Sequence, residues 1–428
     1  MRKGCETGME KIEQAVHLMN QGEIDEALTI LKQLLPTVTD DEKFYISELY
    51  YEWGFFEEAI VLIEELLETY PKEGQLITKL SEMYIELEKD EQAIDLLNEI
   101  DKGDAFYLPS LLQLADLYQA QGLFEVSEQK LLEAKQLAPD EKVIDFALGE
   151  LLFSVGQYSR SIPFYERVAL ELTEINHIQV HERLAESHAI IGHYEKALAY
   201  YSQLNPENPD TLFKYGFTAF QHDRNDIAIT VWKQLLEKDP YYHTVYPELA
   251  LAMKEEGLLD EALSIVKQGL MYDEFNKELF YFAAELATSL QQTNKAIDYL
   301  NKAISLDPDY HEAIMLLIQL YNENKQFIDI IELITSINET GIKDPIYEWE
   351  LAKAYNEEEL YRKALDAYNR ASEHLTHNEA FLKEYGYFLT EEGLHKEAIS
   401  VLEQYIKLEP LDEETISFLE RLKFSINE

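Results

Sequence analysis

The sequence predicts an all-α solenoid of about twelve antiparallel helix pairs, followed by one further helix. Three observations predict it. A small residue recurs in steps of 31 to 36 residues, a second small residue stands twelve positions before each of these markers, and Gly and Pro hold fixed places between them. Such a period is typical of supersecondary units that stack on their neighbours.

The marker of each unit belongs to its second helix, and apolar residues flank it at helical spacing. Ser127, Ser161 and Ile330 fill the places that alanine leaves open. Small residues on both helices predict that the two backbones approach closely. The alanine markers are Ala27, Ala59, Ala93, Ala197, Ala228, Ala262, Ala296, Ala364 and Ala398.

Gly and Pro predict where the helices end. Gly precedes the marker by five residues in seven units, as at Gly54 and Gly122, where a left-handed residue would close the first helix. Pro follows the marker by twelve residues in six units, as at Pro71 and Pro139, and would end the second helix. Each unit is therefore predicted to be helix, turn, helix, turn.

The period breaks around the sixth marker, since the steps from Ser161 to Ala197 and from Ala197 to Ala228 are 36 and 31 residues. The added residues fall near 171–178, and the prolines in 205–209 end a helix early. We expect a change of superhelical direction near 172–210, with a tolerated loop insertion as the alternative. The predicted parts are a flexible tail (1–7), repeats one to six (8–205), repeats seven to twelve (206–411) and a capping helix (412–428).

Repeat ten is the second irregular place. Both of its small positions are enlarged, to Ile318 and Ile330. If these side chains face each other, regular packing would cost about 1–3 kcal/mol in strain. We therefore expect the two helices of repeat ten to lie further apart than those of repeat nine.

The first helix of a repeat carries a large residue followed by a small one, and a Tyr three positions later. The second helix carries Ala, and Pro stands at its end. This pattern resembles the tetratricopeptide repeat family over residues 8 to about 412. Leu114, Ala115 and Tyr118 show the first-helix part. The chain also resembles the YpiA-like cytoplasmic repeat proteins of Gram-positive bacilli. The resemblance implies a right-handed superhelix whose first helices line a concave groove, and a scaffold or adaptor role without known chemistry.

The composition limits the classes of partner. The formal charge is −47, from 83 acidic and 36 basic residues. Such a charge argues against nucleic acid and anionic membranes and favours a basic or amphipathic partner, with a generic solvated acidic surface as the alternative. Cys5 is the single cysteine, so no intramolecular disulfide forms. Neither an apolar span of about 20 residues nor an apolar N-terminal run occurs, so we expect a cytoplasmic protein.

The outward positions of the first helices are the candidate binding surface. Five consecutive repeats place an acid at position nine, and stacking would align these carboxylates. Aromatic residues interleave with them. The predicted partner-binding residues are Phe44, Glu48, Tyr51, Glu82, Asp116, Phe146, Glu150, Phe153, Glu186, Phe213, Phe217, Phe220, Tyr281, Glu285, Trp349 and Lys353.

Repeat seven carries the densest aromatic stripe, with Phe213, Phe217 and Phe220 at i, i+4 and i+7. The packing residues of that helix, such as Leu212 and Gly216, lie on another face, so the stripe is a candidate anchor for a partner. The alternative is that the stripe packs on a neighbour displaced at the irregular junction.

No catalytic motif emerges. The sequence contains neither of the two phosphate-binding glycine motifs and no H-E-x-x-H motif. His177, His181 and His188 could share a helix face as metal ligands, but His188 occupies the position where other repeats have a packed Tyr. We expect no cofactor, no metal and no enzyme activity. The leading hypothesis is a scaffold that binds a basic or amphipathic protein segment. The alternative is a peptide-responsive sensor that changes curvature between repeats six and seven, and self-association is a third use of exposed apolar residues.

Overall fold

The computed structural model describes residues 8–204 and 206–426. These residues form twenty-five α-helices and one short two-stranded hairpin. Consecutive helices pair as the first and second helices of twelve repeats, and the last helix follows repeat twelve. The all-α repeat fold is therefore confirmed. The predicted flexible tail, 1–7, lies outside the described residues.

The chain divides into two compact units between Pro206 and Glu207. Unit 1 holds repeats one to six. Its elements are α1 (Gly8–Gln21), α2 (Ile24–Leu34), a 3₁₀ turn (Leu35–Thr37), α3 (Asp40–Glu52), α4 (Phe56–Thr69), α5 (Gly74–Glu86), α6 (Asp90–Leu97), α7 (Tyr107–Ala120), α8 (Phe124–Leu137), α9 (Lys142–Ser154), α10 (Tyr158–Ala169), β1 (Glu174–Ile175), β2 (Ile178–Gln179), α11 (Val180–Ile190) and α12 (Tyr194–Tyr201).

Unit 2 holds repeats seven to twelve and the final helix. Its elements are α13 (Pro209–Phe220), α14 (Asn225–Lys238), α15 (Val245–Glu255), α16 (Leu259–Tyr272), α17 (Lys277–Ser289), α18 (Thr293–Leu306), α19 (His311–Glu323), α20 (Phe327–Glu339), α21 (Pro345–Glu357), α22 (Tyr361–Ser372), α23 (Glu379–Glu391), α24 (His395–Leu408) and α25 (Glu413–Ile426). Leu419 and Leu422 of α25 are buried in the core of unit 2.

The turn inside each repeat depends on one left-handed residue. Gly54 and Gly122 adopt φ of 81° and 74°, which glycine reaches without steric cost. Repeats without that glycine force another residue into the same conformation, such as Glu88 with φ of 57°. The predicted turns are thus confirmed, and the backbone geometry matters more than the residue type.

The marker residues lie at the centre of the repeat packing. Ala59 and Ala262 have no exposed surface. Their small side chains let the two helices of a repeat approach each other, as the sequence predicts.

The residues added in repeat six form a hairpin. Strand β1 pairs antiparallel with β2, and Asn176 and His177 form the two-residue turn with φ of 49° and 65°. Helix α12 ends at Tyr201 after eight residues, as predicted. The sequence did not reveal that α6 is equally short. The expected change of superhelical direction concerns the relation between the two units and stays a prediction.

Repeat ten departs from its neighbour as expected. Ile318 and Ile330 are buried, at 1% and 0% exposure. Helices α19 and α20 pack together much less closely than α17 and α18, where Ala284 and Ala296 occupy the same positions. Two isoleucine side chains hold the backbones apart, so the expectation for repeat ten is confirmed.

Candidate functional site

We call the outward side of the first helices the first-helix face. It consists of positions two, five, nine and twelve of each repeat, on helices α1, α3, α5, α7, α9 and α11 in unit 1 and on α13, α15, α17, α19, α21 and α23 in unit 2. All sixteen predicted binding residues belong to these helices. Their burial and partners decide which of them can meet a ligand.

Two carboxylates of the predicted acidic row are open to a partner. Glu48 is half-buried and Asp116 is exposed, and within residues 8–204 and 206–426 no ion pair involves either of them. Glu82 is different, because the Lys79 ammonium lies 3.0 Å from its Oε2. Gln113 also donates a hydrogen bond of 3.3 Å to Glu82.

Arg183 pairs with the last two members of the row. Its Nε and Nη2 donate to Glu150 at 2.9 and 3.2 Å, and its Nη1 donates to Glu186 at 3.0 Å. Tyr165 donates a further hydrogen bond of 2.6 Å to Glu150. Burial and this bond raise the pKa of the Tyr165 hydroxyl. Glu186 is only 8% exposed. The expectation of five acids presented together is therefore corrected.

Lys79 and Arg183 are cations beside the acidic row that were not predicted from the sequence. Each stands three residues before the acid of its own repeat, at position six, which places the two side chains on one side of the helix. The pairing of Arg183 with Glu150 spans 33 residues, close to the repeat period. A search for opposite charges one period apart could have found it.

The aromatic residues of unit 1 differ in exposure. Tyr51 is half-buried, with its ring 5.5 Å from Phe56 and the Lys79 ammonium 4.5 Å from its centroid. Phe153 lies beneath the Arg183 guanidinium at 4.7 Å. Phe44 is half-buried, packed against the core of repeats one to three.

The prediction that Phe146 binds a partner is also corrected, because Phe146 is only 6% exposed and packs edge-on against Tyr165 at 6.2 Å. It belongs to the core of repeats five and six, not to the first-helix face. Aromatic spacing alone could not separate these roles.

The phenylalanine stripe of repeat seven consists of two partly buried rings and one exposed ring. Phe213 lies 6.3 Å from Trp232 and 5.4 Å from Tyr242, and Phe220 lies 5.9 Å from Trp232. Only Phe217 is exposed, at 43%. The expectation that the whole stripe is spare is therefore corrected.

Trp232 explains how repeat seven holds this arrangement. The indole is fully buried, and its Nε1 donates to the carbonyl oxygen of Phe213 at 3.2 Å. It fits because Gly216 faces it, where a Cβ would overlap the ring. The backbone of α13 is thus fixed to α14, and Phe217 projects from a rigid support.

The remaining predicted residues form two smaller groups in unit 2. Tyr281 lies 5.4 Å from Tyr310, and Glu285 is 3.6 Å from the Lys254 ammonium. Burial, with the nearby charges of Glu285 and Glu312, raises the pKa of Tyr281.

Lys353 borders a cavity of about 570 Å³ in repeats ten to twelve. Lys353 binds Glu350 at 2.5 Å and lies 4.7 Å from the Trp349 centroid. Glu384 accepts hydrogen bonds from Trp349 Nε1 at 2.9 Å and from Tyr368 at 2.7 Å. The sequence reading identified Lys353 and not Glu384, which approaches from the next repeat.

The described residues offer neither a metal site nor a membrane-spanning helix. Within the described chain no group of three His, Cys, Asp or Glu side chains is arranged to hold a metal ion. His188 is buried, and its ring stacks on Tyr200 at 5.7 Å, which matches a packing role. None of the helices in residues 8–204 and 206–426 combines the length and apolar character of a bilayer span.

Comparison with known proteins identifies a relative that covers 94% of the chain. A family model described as YpiA-like, tetratricopeptide repeats, matches 119–171, and the model for YpiA-like C-terminal repeats matches 345–412. A general tetratricopeptide repeat model matches 278–310. The TPR repeat-containing protein YpiA of Bacillus subtilis is 41% identical over 405 residues, covering 94% of this chain and 96% of that protein.

Solved structures give more distant likenesses. YrrB, described as a TPR protein with an unusual peptide-binding site, aligns with a TM-score of 0.38 at 20% identity, over 44% of this chain and 96% of its own. The MamA protein aligns with a TM-score of 0.37 at 19% identity, over 40% of this chain and 94% of its own.

Proposed function

Because the chain belongs to the YpiA-like family of tetratricopeptide repeat proteins, we propose that it is a non-enzymatic scaffold that binds a basic or amphipathic protein segment on its first-helix face. Proteins built from this repeat generally mediate protein–protein interactions, and stacked helix pairs offer an extended surface for that purpose. The specific partner chemistry is our inference from the residues on that face.

The exposed ring of Phe217 carries the proposal. An aromatic side chain that is 43% exposed on a rigid helix is typical of an interaction anchor, since aromatic residues dominate binding energy at protein interfaces. The rings of Phe213 and Trp232 beneath it fix its position, so little conformational freedom is lost on binding. An apolar side chain of a partner would cover it.

The charge of the chain supports a basic partner. The net charge is −47, and Glu48 and Asp116 of unit 1 lack an internal cation among the described residues. Lysine or arginine side chains in a partner would pair with such carboxylates and speed its association. Glu150 and Glu186 are excluded from this role, because Arg183 already binds them.

Affinity capture followed by titration tests the proposal. The protein is immobilised as wild type, as Phe217→Ala and as Phe275→Ala, a control whose ring is 72% exposed in the turn between α16 and α17. We expect one set of partners on wild type and Phe275→Ala, with affinity at least about tenfold weaker for Phe217→Ala. Affinity should also fall with added salt. Equal affinity for the two variants would show that Phe217 is not the anchor.

A further inference from the structure

A cleft of about 490 Å³ lies outside the first-helix face, between α2, α3 and α4. It exists because the step from Ala27 to Ala59 is only 32 residues and α2 gives way to a 3₁₀ turn. Leu35, Pro36 and Val38 form one wall and Val61 with Leu62 the other. Val61 is 52% exposed, so the cleft opens to solvent along an apolar side.

Tyr50, which lines this cleft, carries a hydroxyl group without a partner. Tyr50 is 1% exposed, and its Oη makes no hydrogen bond. A buried hydroxyl in that state costs free energy, which a ligand acceptor can recover. Burial and the nearby charge of Glu58 raise the pKa of Tyr50 to about 12, so the hydroxyl keeps its proton and is a donor.

In the next repeat the equivalent tyrosine has the hydrogen-bond acceptor that Tyr50 lacks. Tyr84, the equivalent of Tyr50, donates a hydrogen bond of 2.9 Å to Glu64 of α4. Glu64 stands five residues after the marker Ala59, and the residue five positions after Ala27 is Lys32. An ammonium group cannot accept a hydrogen bond, so the repeat places a second donor where the acceptor belongs.

Lys32 is available for a ligand. Its ammonium is 3.8 Å from Glu58 and its side chain is 58% exposed, so that ion pair is loose and costs little to separate. Lys43, at the other end of the cleft, binds Glu65 at 2.9 Å and is less free. The cleft's own carboxylates, Glu58 and Glu65, lie next to the two lysines, and neither accepts a hydrogen bond from Tyr50. An apolar acid would bring the missing acceptor together with a hydrocarbon body for the two walls.

We propose that this cleft binds an apolar carboxylate. The hydrocarbon body lies between the wall of Leu35 and Val38 and that of Val61, and the carboxylate accepts hydrogen bonds from Tyr50 and Lys32. Such a group occurs in a free organic acid and in the C-terminus of a protein that ends in an apolar residue. The site goes beyond the proposed function, since it faces the second helices and not the first-helix face.

The test measures binding of 4-phenylbutyrate and of a peptide ending in leucine to the full chain by NMR titration. The matched controls are 4-phenylbutanol and the same peptide as its C-terminal amide. We expect one or both carboxylates to shift signals of Leu35, Val38 and Val61, and the controls not to do so. Binding of 4-phenylbutyrate would indicate a free organic acid as the ligand, and binding of the peptide would indicate a protein C-terminus. No shift from either carboxylate, or equal shifts from the controls, would overturn the proposal.

Three variants connect the binding to the named groups. Tyr50→Phe keeps the ring and should weaken binding about tenfold, whereas Tyr84→Phe, whose hydroxyl already has Glu64, should bind as wild type. Lys32→Glu removes the ammonium group and places a carboxylate at the position of Glu64 in the next repeat, so it should abolish binding of the carboxylate. Unchanged affinity in Tyr50→Phe would contradict the site even if the probe binds.

Discussion

The ring of Phe217 stacks on the ring of Phe213, with 6.3 Å between centroids and 20° between planes. Phe213 also contacts Trp232 and Tyr242, whereas Phe217 is 43% exposed. Phe213 and Phe217, one turn apart on α13, thus have different roles: the Phe213 ring supports the Phe217 ring, and the Phe217 ring is presented to solvent. This division of roles leads to the first prediction.

Phe213→Ala and Phe217→Ala should separate stability from binding. Phe213→Ala removes contacts with a buried indole, and we expect it to lower the free energy of unfolding by about 2–3 kcal/mol. Phe217→Ala should lower it by less than about 1 kcal/mol, since much of the ring is in water. Urea unfolding of both variants measures the difference. Equal losses would mean that Phe217 is part of the core.

The sequence predicts features that arise within one repeat better than features that depend on contacts between repeats. The helix order, the turns and the altered packing of repeat ten follow from residues within one repeat, such as Ile318 and Ile330. The state of a surface residue depends on neighbouring helices as well. Phe146 and Phe153 share one helix, yet Phe146 is buried against Tyr165 and Phe153 lies beneath Arg183. Periodicity places both on the first-helix face and cannot rank them.

Arg183→Ala should destabilise unit 1. The side chain is 25% exposed and binds Glu150 and Glu186, which would be left without their cation. We expect a loss of about 2–3 kcal/mol in urea unfolding. Lys79→Ala is the matched control, because its partner Glu82 is 35% exposed and the loss should stay below about 1 kcal/mol. A smaller effect for Arg183→Ala than for Lys79→Ala would contradict the assignment.

Repeat ten should depend on its large side chains. Ile330 has no exposed surface, and Ile330→Ala leaves a cavity that the separated helices cannot close. We expect a loss of about 2–5 kcal/mol. In repeat nine, the reverse change, Ala296→Ile, should also destabilise, by about 1–3 kcal/mol, through overpacking. Denaturant unfolding of each variant measures both, and a neutral Ala296→Ile would refute the packing argument.

The final helix should respond to acid. Lys383, Tyr405 and Thr415 donate to the Asp412 carboxylate at 2.7, 2.7 and 2.8 Å, and these bonds hold its pKa well below the usual range. A lowered folded-state pKa stabilises fully above the unfolded value of about 3.9, and the benefit disappears as pH falls through the folded value.

Hydrogen-exchange protection of α25 is the readout for this effect. We expect protection of the Leu419 and Leu422 amides to fall as pH drops below about 4. Asp412→Asn should show weak protection already at neutral pH and little further change on acidification. A wild-type α25 whose protection does not depend on pH would rule out the role of Asp412.

Site-specific photo-crosslinking measures whether a partner contacts Phe217. A photoreactive phenylalanine replaces Phe217 in one preparation and Phe275, the exposed control outside the first-helix face, in another. We expect the captured partner to crosslink through position 217 and not through position 275, and added salt to reduce the yield. Crosslinking through 275 alone, or equally through both positions, would contradict this expectation.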